Sequence, residues 1–407
     1  MSVVLYKIAG IALVLVSAFL LSSQRQAIKW HYLLITLATQ FLIALAMLKT
    51  SGGEILGLKL ASVFDALNTY AEQGGRMVFS TLIDTSSPAG WGFIFAIKVT
   101  TLLTFLSGLM SLLSYLGVVG FLVRAITTVT APIFGVSGAE GLCTVANSIL
   151  GQIESPLLVK NYLPRMTKSE LMSVMISGFA TTSITLLVPL ASLGLSPLHL
   201  FTASIMSIPG TLIIAKLLEP ETESPETLGL SVAPTNDTSG SVIDALTTGG
   251  INGFALSGII MAMLIVFIGI SGMCNNIVEH LIFLVSGKHG FTVDTLLGFL
   301  FRPLTFLLGI PADEQNGVAA LIGNRMIINE FVAYLKMLTL DFSPYSKTIS
   351  TYLLCGFANF SSIGMQIGGI SAMAPSTRST LSQIGLRAMI GGTLVNLLNT
   401  CVVSLFL

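Results

Sequence analysis

Of 407 residues, 53% are hydrophobic and only 9% charged, more apolar surface than a water-soluble fold can hide, so the chain reads as an integral membrane protein. Basic and acidic residues number 19 each, which removes any electrostatic case for nucleic acid as a partner. The four cysteines lie in apolar runs without paired spacing and the four histidines are scattered, so disulfide and metal-centre readings lose their support.

Residues 3–21 form an apolar run as long as a membrane span requires, and no small-x-small cleavage site follows it. It is expected to be the first transmembrane helix, with a second over residues 31–50. The turn between them carries Arg25 and Lys29, and the positive-inside rule places it in the cytoplasm with the N-terminus outside. Residues 54–88 mix apolar positions with Glu54, Lys59, Asp65, Glu72 and Arg76. That segment is too polar to span and too periodic for a loop, and it predicts an amphipathic helix along the interface. A third span is expected from Trp91 to about Leu116, with Lys98 reaching out to the headgroups.

Residues 141–156, GLCTVANSILGQIESP, then set Asn147, Gln152, Glu154 and Ser155 among hydrocarbon-seeking neighbours. The apolar pieces on either side are each too short to cross. Ser155 followed by Pro156 reads as a capping hydroxyl and a proline at the first helical position. The chain therefore enters, breaks and returns, a re-entrant hairpin with its polar tip at membrane depth. Irregular backbone is tolerated there only under protein cover or facing a water-filled cavity, so a site is expected at the tip.

The next span, residues 171–190, holds Ser177, Gly178, Thr181, Thr182, Ser183 and Thr185. Two readings stand: helix packing through small residues, or a broken helix whose freed carbonyls face an ion or substrate. A span over 198–218 leads to residues 218–240, rich in Pro, Glu, Ser and Thr, a solvated divider. Beyond it the pattern restarts. SVFDALNT at 62–69 returns as SVIDALTT at 241–248, followed by an apolar span over 254–286. GVAALIGNRMIINE at 317–330 sets Gly317 thirteen positions before Glu330, as Gly141 stands thirteen before Glu154. GFANFSSIG at 356–364 echoes GFATTSIT at 178–185.

Four landmarks in one order predict an internal repeat, over residues 53–225 and 234–407, after a two-helix scaffold part at 1–52. Each copy holds an interfacial helix, a span, a hairpin that does not cross and two more spans. Three crossings is odd, so the second copy lies upside down. The expected fold is an all-α polytopic membrane protein with interfacial helices, two re-entrant helical hairpins and inverted structural repeats with broken helices, the architecture of secondary transporters. An intramembrane enzyme would carry a His/Asp cluster or an aspartate-rich metal motif; the sequence has neither, so no residue is assigned a catalytic role.

Glu154 and Glu330 carry the sharpest signal, because an ionised carboxylate at membrane depth costs several kcal/mol unless it is paired or watered. They are expected as two buried acids in matched settings lining one site, the competing reading being carboxylates pinned to hairpin amides or to Arg325. A carboxylate accepts from paired hydroxyls and so points to a polyol or sugar; the amides of Gln152 and Asn359 suit an uncharged heterocycle. Phe357 and Phe360 either stack on that ring or simply pack. An alkali cation would be held by the Asn147 side chain, carbonyls near Leu150 and Thr182, and the Thr181 hydroxyl. Proton coupling through a glutamate is the alternative, and no other cofactor is expected.

With GQIESP at 151–156, NEFVA at 329–333 and GFANFSSIG at 356–364, the chain resembles the concentrative nucleoside transporter family of the bacterial nucleoside-permease type over nearly its whole length. The resemblance implies a homotrimer of protomers with eight transmembrane helices, set among lipid in the bacterial inner (plasma) membrane. It implies symport of a uridine- or adenosine-like nucleoside with sodium by an elevator-like movement of the hairpin-bearing domain. By the family pattern Gln152 and Glu154 address the base, on which Leu186 packs. Glu330, Asn359 and Ser362 bind the ribose hydroxyls with Phe357 beside them, and Asn147, Leu150, Thr181 and Thr182 hold sodium. One residue departs: Ile153 stands where the family usually has a hydroxyl, which leaves purine or pyrimidine preference open.

Overall fold

The computed structural model describes residues 2–83, 94–230, 232–234, 240–287 and 292–407, and among them every regular element is helical. α1 (Ser2–Leu20) and α2 (Trp30–Lys49) come first. α3 (Ser51–Phe79) is the expected amphipathic helix; the Thr50 hydroxyl caps it by accepting from the Gly53 amide at 3.2 Å. α4 (Phe95–Tyr115) is the third span, and its expected start at Trp91 lies outside the described residues.

The first repeat continues with α5 (Val118–Phe134), the hairpin helices α6 (Gly138–Asn147) and α7 (Glu154–Leu157), then α8 (Lys168–Ala180), α9 (Ile184–Ser192) and α10 (Pro197–Leu218). In the second, α11 (Val242–Ser286) and α12 (Val293–Leu307) precede the hairpin helices α13 (Gln315–Ile327) and α14 (Glu330–Thr339). α15 (Pro344–Leu354), α16 (Phe360–Met373) and α17 (Arg378–Ser404) complete the chain. Among the described residues six segments are long and apolar enough to cross a membrane, with α8 and α9 counted as one. α1 and the interrupted α15–α16 pair bring the number to the expected eight.

The hydroxyl-rich stretch resolves as a broken helix: α8 ends at Ala180, and Thr181, Thr182 and Ser183 separate it from α9. Residues 355–359 interrupt the second copy in the same way.

Four expectations change. Residues 241–248 are no separate interfacial helix but the N-cap and opening turns of the 45-residue α11, because Ser241 caps that helix and no proline interrupts it. Conversely, each hairpin is preceded by an amphipathic helix that the pattern did not announce, α5 and α12. Each ends just past an internal proline, Pro132 or Pro303, and is followed by a left-handed glycine, Gly135 (φ 66) or Gly309 (φ 74). The echoed glycines are not equivalent: Gly178 sits inside α8, whereas Gly356 sits in the second break with φ 95. The Ser155–Pro156 signal is also offset. α7 begins at Glu154, and Ser155 donates back to the Gly151 carbonyl at 3.0 Å instead of capping.

Burial separates two regions. α8 and α9 are buried over nearly their whole length, whereas most described residues of α11 are exposed, so the broken helices form the core and α11 lies outside it. α11 packs on α4 through small residues: a Cβ at Gly253 would meet the Leu103 carbonyl oxygen at 2.3 Å. The first hairpin is pinned at its base by two interlocked capping boxes. Ser137 caps α6 and donates to Glu170, while Ser173 donates to Glu140, which also pairs with Lys216 of α10 at 2.7 Å.

Candidate functional site

The two breaks meet at the centre of the molecule. The Gly356 amide donates to the Thr182 hydroxyl at 2.8 Å, and a Cβ at Gly356 would lie 2.5 Å from the Phe179 carbonyl oxygen. Only a residue without a side chain permits that approach at positive φ. Around this crossing the half-helices leave two kinds of free end.

Helix N-termini gather on one side. Asn329 caps α14 by accepting from the Val332 amide at 2.9 Å, which sets Glu330 at the first helical position. Asn359 caps α16 through its Oδ1, which accepts from the Ser362 amide at 2.9 Å and the Ser361 hydroxyl at 2.7 Å. Its Nδ2 is thereby turned outward and donates to Glu330 Oε2 at 3.2 Å. The partial positive ends of two helices thus face one buried carboxylate. Ser362 is buried, Phe357 half-buried, and Leu186 buried on the first turn of α9. Phe360 is exposed.

The C-termini of α8 and α15 gather on the other side, where the carbonyls are negative and orphaned. Arg325, 1% exposed, donates to the Leu353 carbonyl and to Asn396 Oδ1 at 2.8 Å. Asn396 passes the link on by donating to the Ala180 carbonyl at 2.9 Å. One guanidinium thus serves the ends of both half-helices, and Arg325 makes no hydrogen bond to Glu330. The Arg325–Glu330 pinning weighed from sequence is not the arrangement found.

At the first hairpin the acid behaves differently. Glu154 is exposed, and its carboxylate accepts from the Gly151 amide at 2.9 Å. The two glutamates are therefore not in matched settings: Glu330 is held between helices, while Glu154 folds onto its own tip. Gln152 is buried beside α16, and Ile153 packs on Gly369, where a Cβ would lie 3.0 Å from Ile153 Cγ2.

The candidate cation ligands lie on two segments tied together. Asn147 Nδ2 donates to Ser177 Oγ at 2.7 Å, and the Ile184 amide donates to the Ile149 carbonyl at 3.2 Å. Thr181 Oγ1 donates to the Ser177 carbonyl at 2.7 Å, and Ser204 of α10 donates to the Thr182 carbonyl at 3.1 Å. Asn147 Oδ1, buried, meets no donor of the described residues. An orphaned amide oxygen beside a hydroxyl and the carbonyls of an interrupted helix is an all-oxygen donor set, the kind that suits a hard monovalent cation. Ser204, Asn396 and Gln366 are the site neighbours that the sequence pattern did not announce, whereas Ser177 stood in the hydroxyl-rich run and Arg325 among the expected carboxylate partners. A lone amide in an apolar run, as in GMQIGG or NLLNT, was the available signal.

A family model described as sodium-dependent nucleoside transporter C-terminus matches residues 199–404. Its N-terminal counterpart matches residues 9–82, and a nucleoside recognition model matches residues 96–197. The chain belongs to the concentrative nucleoside transporter family. It is a multi-pass membrane transporter, not an enzyme. A Helicobacter pylori relative named nucleoside permease NupC is 31% identical over 99% of this chain and 98% of its own. Mouse solute carrier family 28 member 3 is 32% identical over 98% of this chain and 58% of its own, and Bacillus subtilis "uncharacterized transporter YutK" is 33% identical over 99% and 100%. Among solved structures, CNTnw in an inward-facing substrate-bound state superposes with TM-score 0.93 at 32% identity, covering 99% of this chain and 98% of that one.

Proposed function

We propose that this family member imports nucleosides, uridine- or adenosine-like, by symport with sodium across the bacterial inner membrane. The observation that carries the reading is the Glu330–Asn359 pair, set where the N-termini of α14 and α16 converge and with the amide of Gln152 supplied by the first hairpin. Glu330 accepts from the ribose hydroxyls, with Asn359 and Ser362 beside it and Phe357 along the sugar. Gln152 and Glu154 face the base, and Leu186 packs on its ring.

Sodium is favoured over the proton because Asn147 Oδ1 is a buried acceptor without a donor, a group that a cation satisfies and a proton does not. Asn147 Oδ1, the Thr181 hydroxyl and the carbonyls of Leu150 and Thr182 would hold it. Their engagement draws the tip of the first hairpin onto the α8–α9 break and so orders Gln152 and Glu154 for the nucleoside. With both ligands bound, the domain that carries the hairpins and broken helices shifts across the remaining scaffold in an elevator-like movement. A homotrimer is the proposed assembly.

The test is uptake of radiolabelled uridine and adenosine into proteoliposomes under an inward sodium gradient, with choline replacing sodium at fixed pH in the control. Concentrative uptake that choline abolishes is expected. Uptake driven equally well by a proton gradient without sodium would overturn the coupling ion, and no gradient-driven uptake of either nucleoside would overturn the function.

A further inference from the structure

Gln366 lies on α16, one turn beyond Ser362, and is fully buried. Its Nε2 donates to Gln152 Oε1 at 3.1 Å, so the second broken helix grips the tip of the first hairpin through a pair of amides. Gly178 of α8 makes the room: a Cβ there would stand 2.8 Å from Gln366 Nε2 and 3.0 Å from Gln152 Cβ. Three residues along, Gly369 receives Ile153. One face of α16 thus takes the apolar residue of the tip at Gly369 and its amide at Gln366.

The pairing is incomplete. Among the described residues, Gln366 Oε1 meets no donor, although it is buried, and no hydrogen bond engages Gln152 as a donor. A buried amide oxygen without a partner is unfavourable, so the empty half of each amide calls for a ligand group or water. Two amides joined by one hydrogen bond leave one carbonyl and one amino group free. Rotating both terminal amides by half a turn exchanges the roles of the two residues and keeps that complement unchanged.

We propose that Gln366 is a specificity-determining residue that reads the nucleobase together with Gln152. The coupled amides take a base edge on which a hydrogen-bond acceptor stands next to an N–H donor, as at O4 and N3–H of uracil or at the ring nitrogen and amino group of adenine. Gln366 thereby supplies from α16 the polar contact that Ile153 cannot supply from the hairpin. The inference rests on the nucleoside reading of the site and adds to it the element that recognises the base.

The experiment is competition uptake in proteoliposomes with two matched pairs: uridine against 3-methyluridine, and adenosine against N6,N6-dimethyladenosine, whose methyl groups remove the donor. The wild-type protein should prefer the parent nucleoside by about tenfold to a hundredfold in at least one pair. Gln366→Met, close in volume and without polar atoms, should reduce that preference to about twofold. It should leave the preference for uridine over 2′,3′-dideoxyuridine in place, which a general loosening of the site would not. Wild-type protein that takes a parent and its methylated analogue equally in both pairs overturns the proposal without any variant. So does a Gln366→Met protein that keeps the wild-type ratio. Absence of any nucleoside uptake by the wild type would instead strike at the underlying reading.

Discussion

A carboxylate inside a membrane protein takes its character from what holds it, and the two hairpin glutamates are held in different ways. Glu330 is fixed by the Asn359 amide and by two helix N-termini, so its second oxygen is left for a ligand in a place from which water is largely excluded. Hydrogen bonds to a charged acceptor contribute about 1.5–3 kcal/mol, so replacing that charge with an isosteric amide has a measurable signature. Glu330→Gln is expected to lower the preference for uridine over 2′,3′-dideoxyuridine by about tenfold or more in competition uptake. An unchanged preference would remove Glu330 from the ribose side. Glu154, bonded to Gly151 of its own turn, is placed to order the tip as much as to touch a ligand. That difference was not visible in the thirteen-residue spacing the two share, since spacing along a chain does not say which element lies opposite.

At the scale of elements, the site exists because four half-helices end where their neighbours begin. Arg325 and Asn396 answer the carbonyl ends of α8 and α15, and the asparagine caps answer the amide ends of α14 and α16. Hydroxyl-rich, glycine-containing runs left packing and a break as two readings, and the structure shows the break. They did not give the register, which is why Gly178 and Gly356 looked equivalent and Ser155 looked like a cap. Capping is decided by which amides are left free, and Glu154 already opens α7. The crossing of the two breaks is the most sensitive junction. Gly356→Ala introduces a Cβ at φ 95 and 2.5 Å from a backbone oxygen, a strain of about 1–3 kcal/mol before any shift of the half-helices. A lower Tm in detergent and loss of most uptake are expected, whereas Gly364→Ala, with open space around its Cβ, should keep both near wild type. Equal tolerance of the two substitutions would show that the crossing is not tight.

Across the whole molecule, burial divides the chain into a core of broken helices and hairpins and an outer pair, α4 and α11, locked by glycine. Such a division is what a moving domain against a fixed scaffold requires. α11, exposed over most of its described residues, offers long surface for lipid or for a second copy. Lipid tails are as apolar as leucine, so exposure alone does not choose between them. A detergent-corrected light-scattering mass should come to three times the 43.0 kDa protomer, and a monomer would rule out the proposed trimer.

Composition by itself determined that the chain lives in a membrane, because 9% charge cannot cover so apolar a surface. The internal repeat and the polar tips determined that it would hold two hairpins, two broken helices and a site between them. Those conclusions follow from local chemistry: polar and flexible residues at membrane depth need either protein cover or water. Only the tertiary structure decided who meets whom. It brought Asn359 to Glu330, set Arg325 on the end of α15 and, through Asn396, on the end of α8, and set Gln366 against Gln152 across 214 residues of chain. Hydrogen-bond partners so far apart in sequence are chosen by the packing of helices past one another, and no window of sequence contains that information.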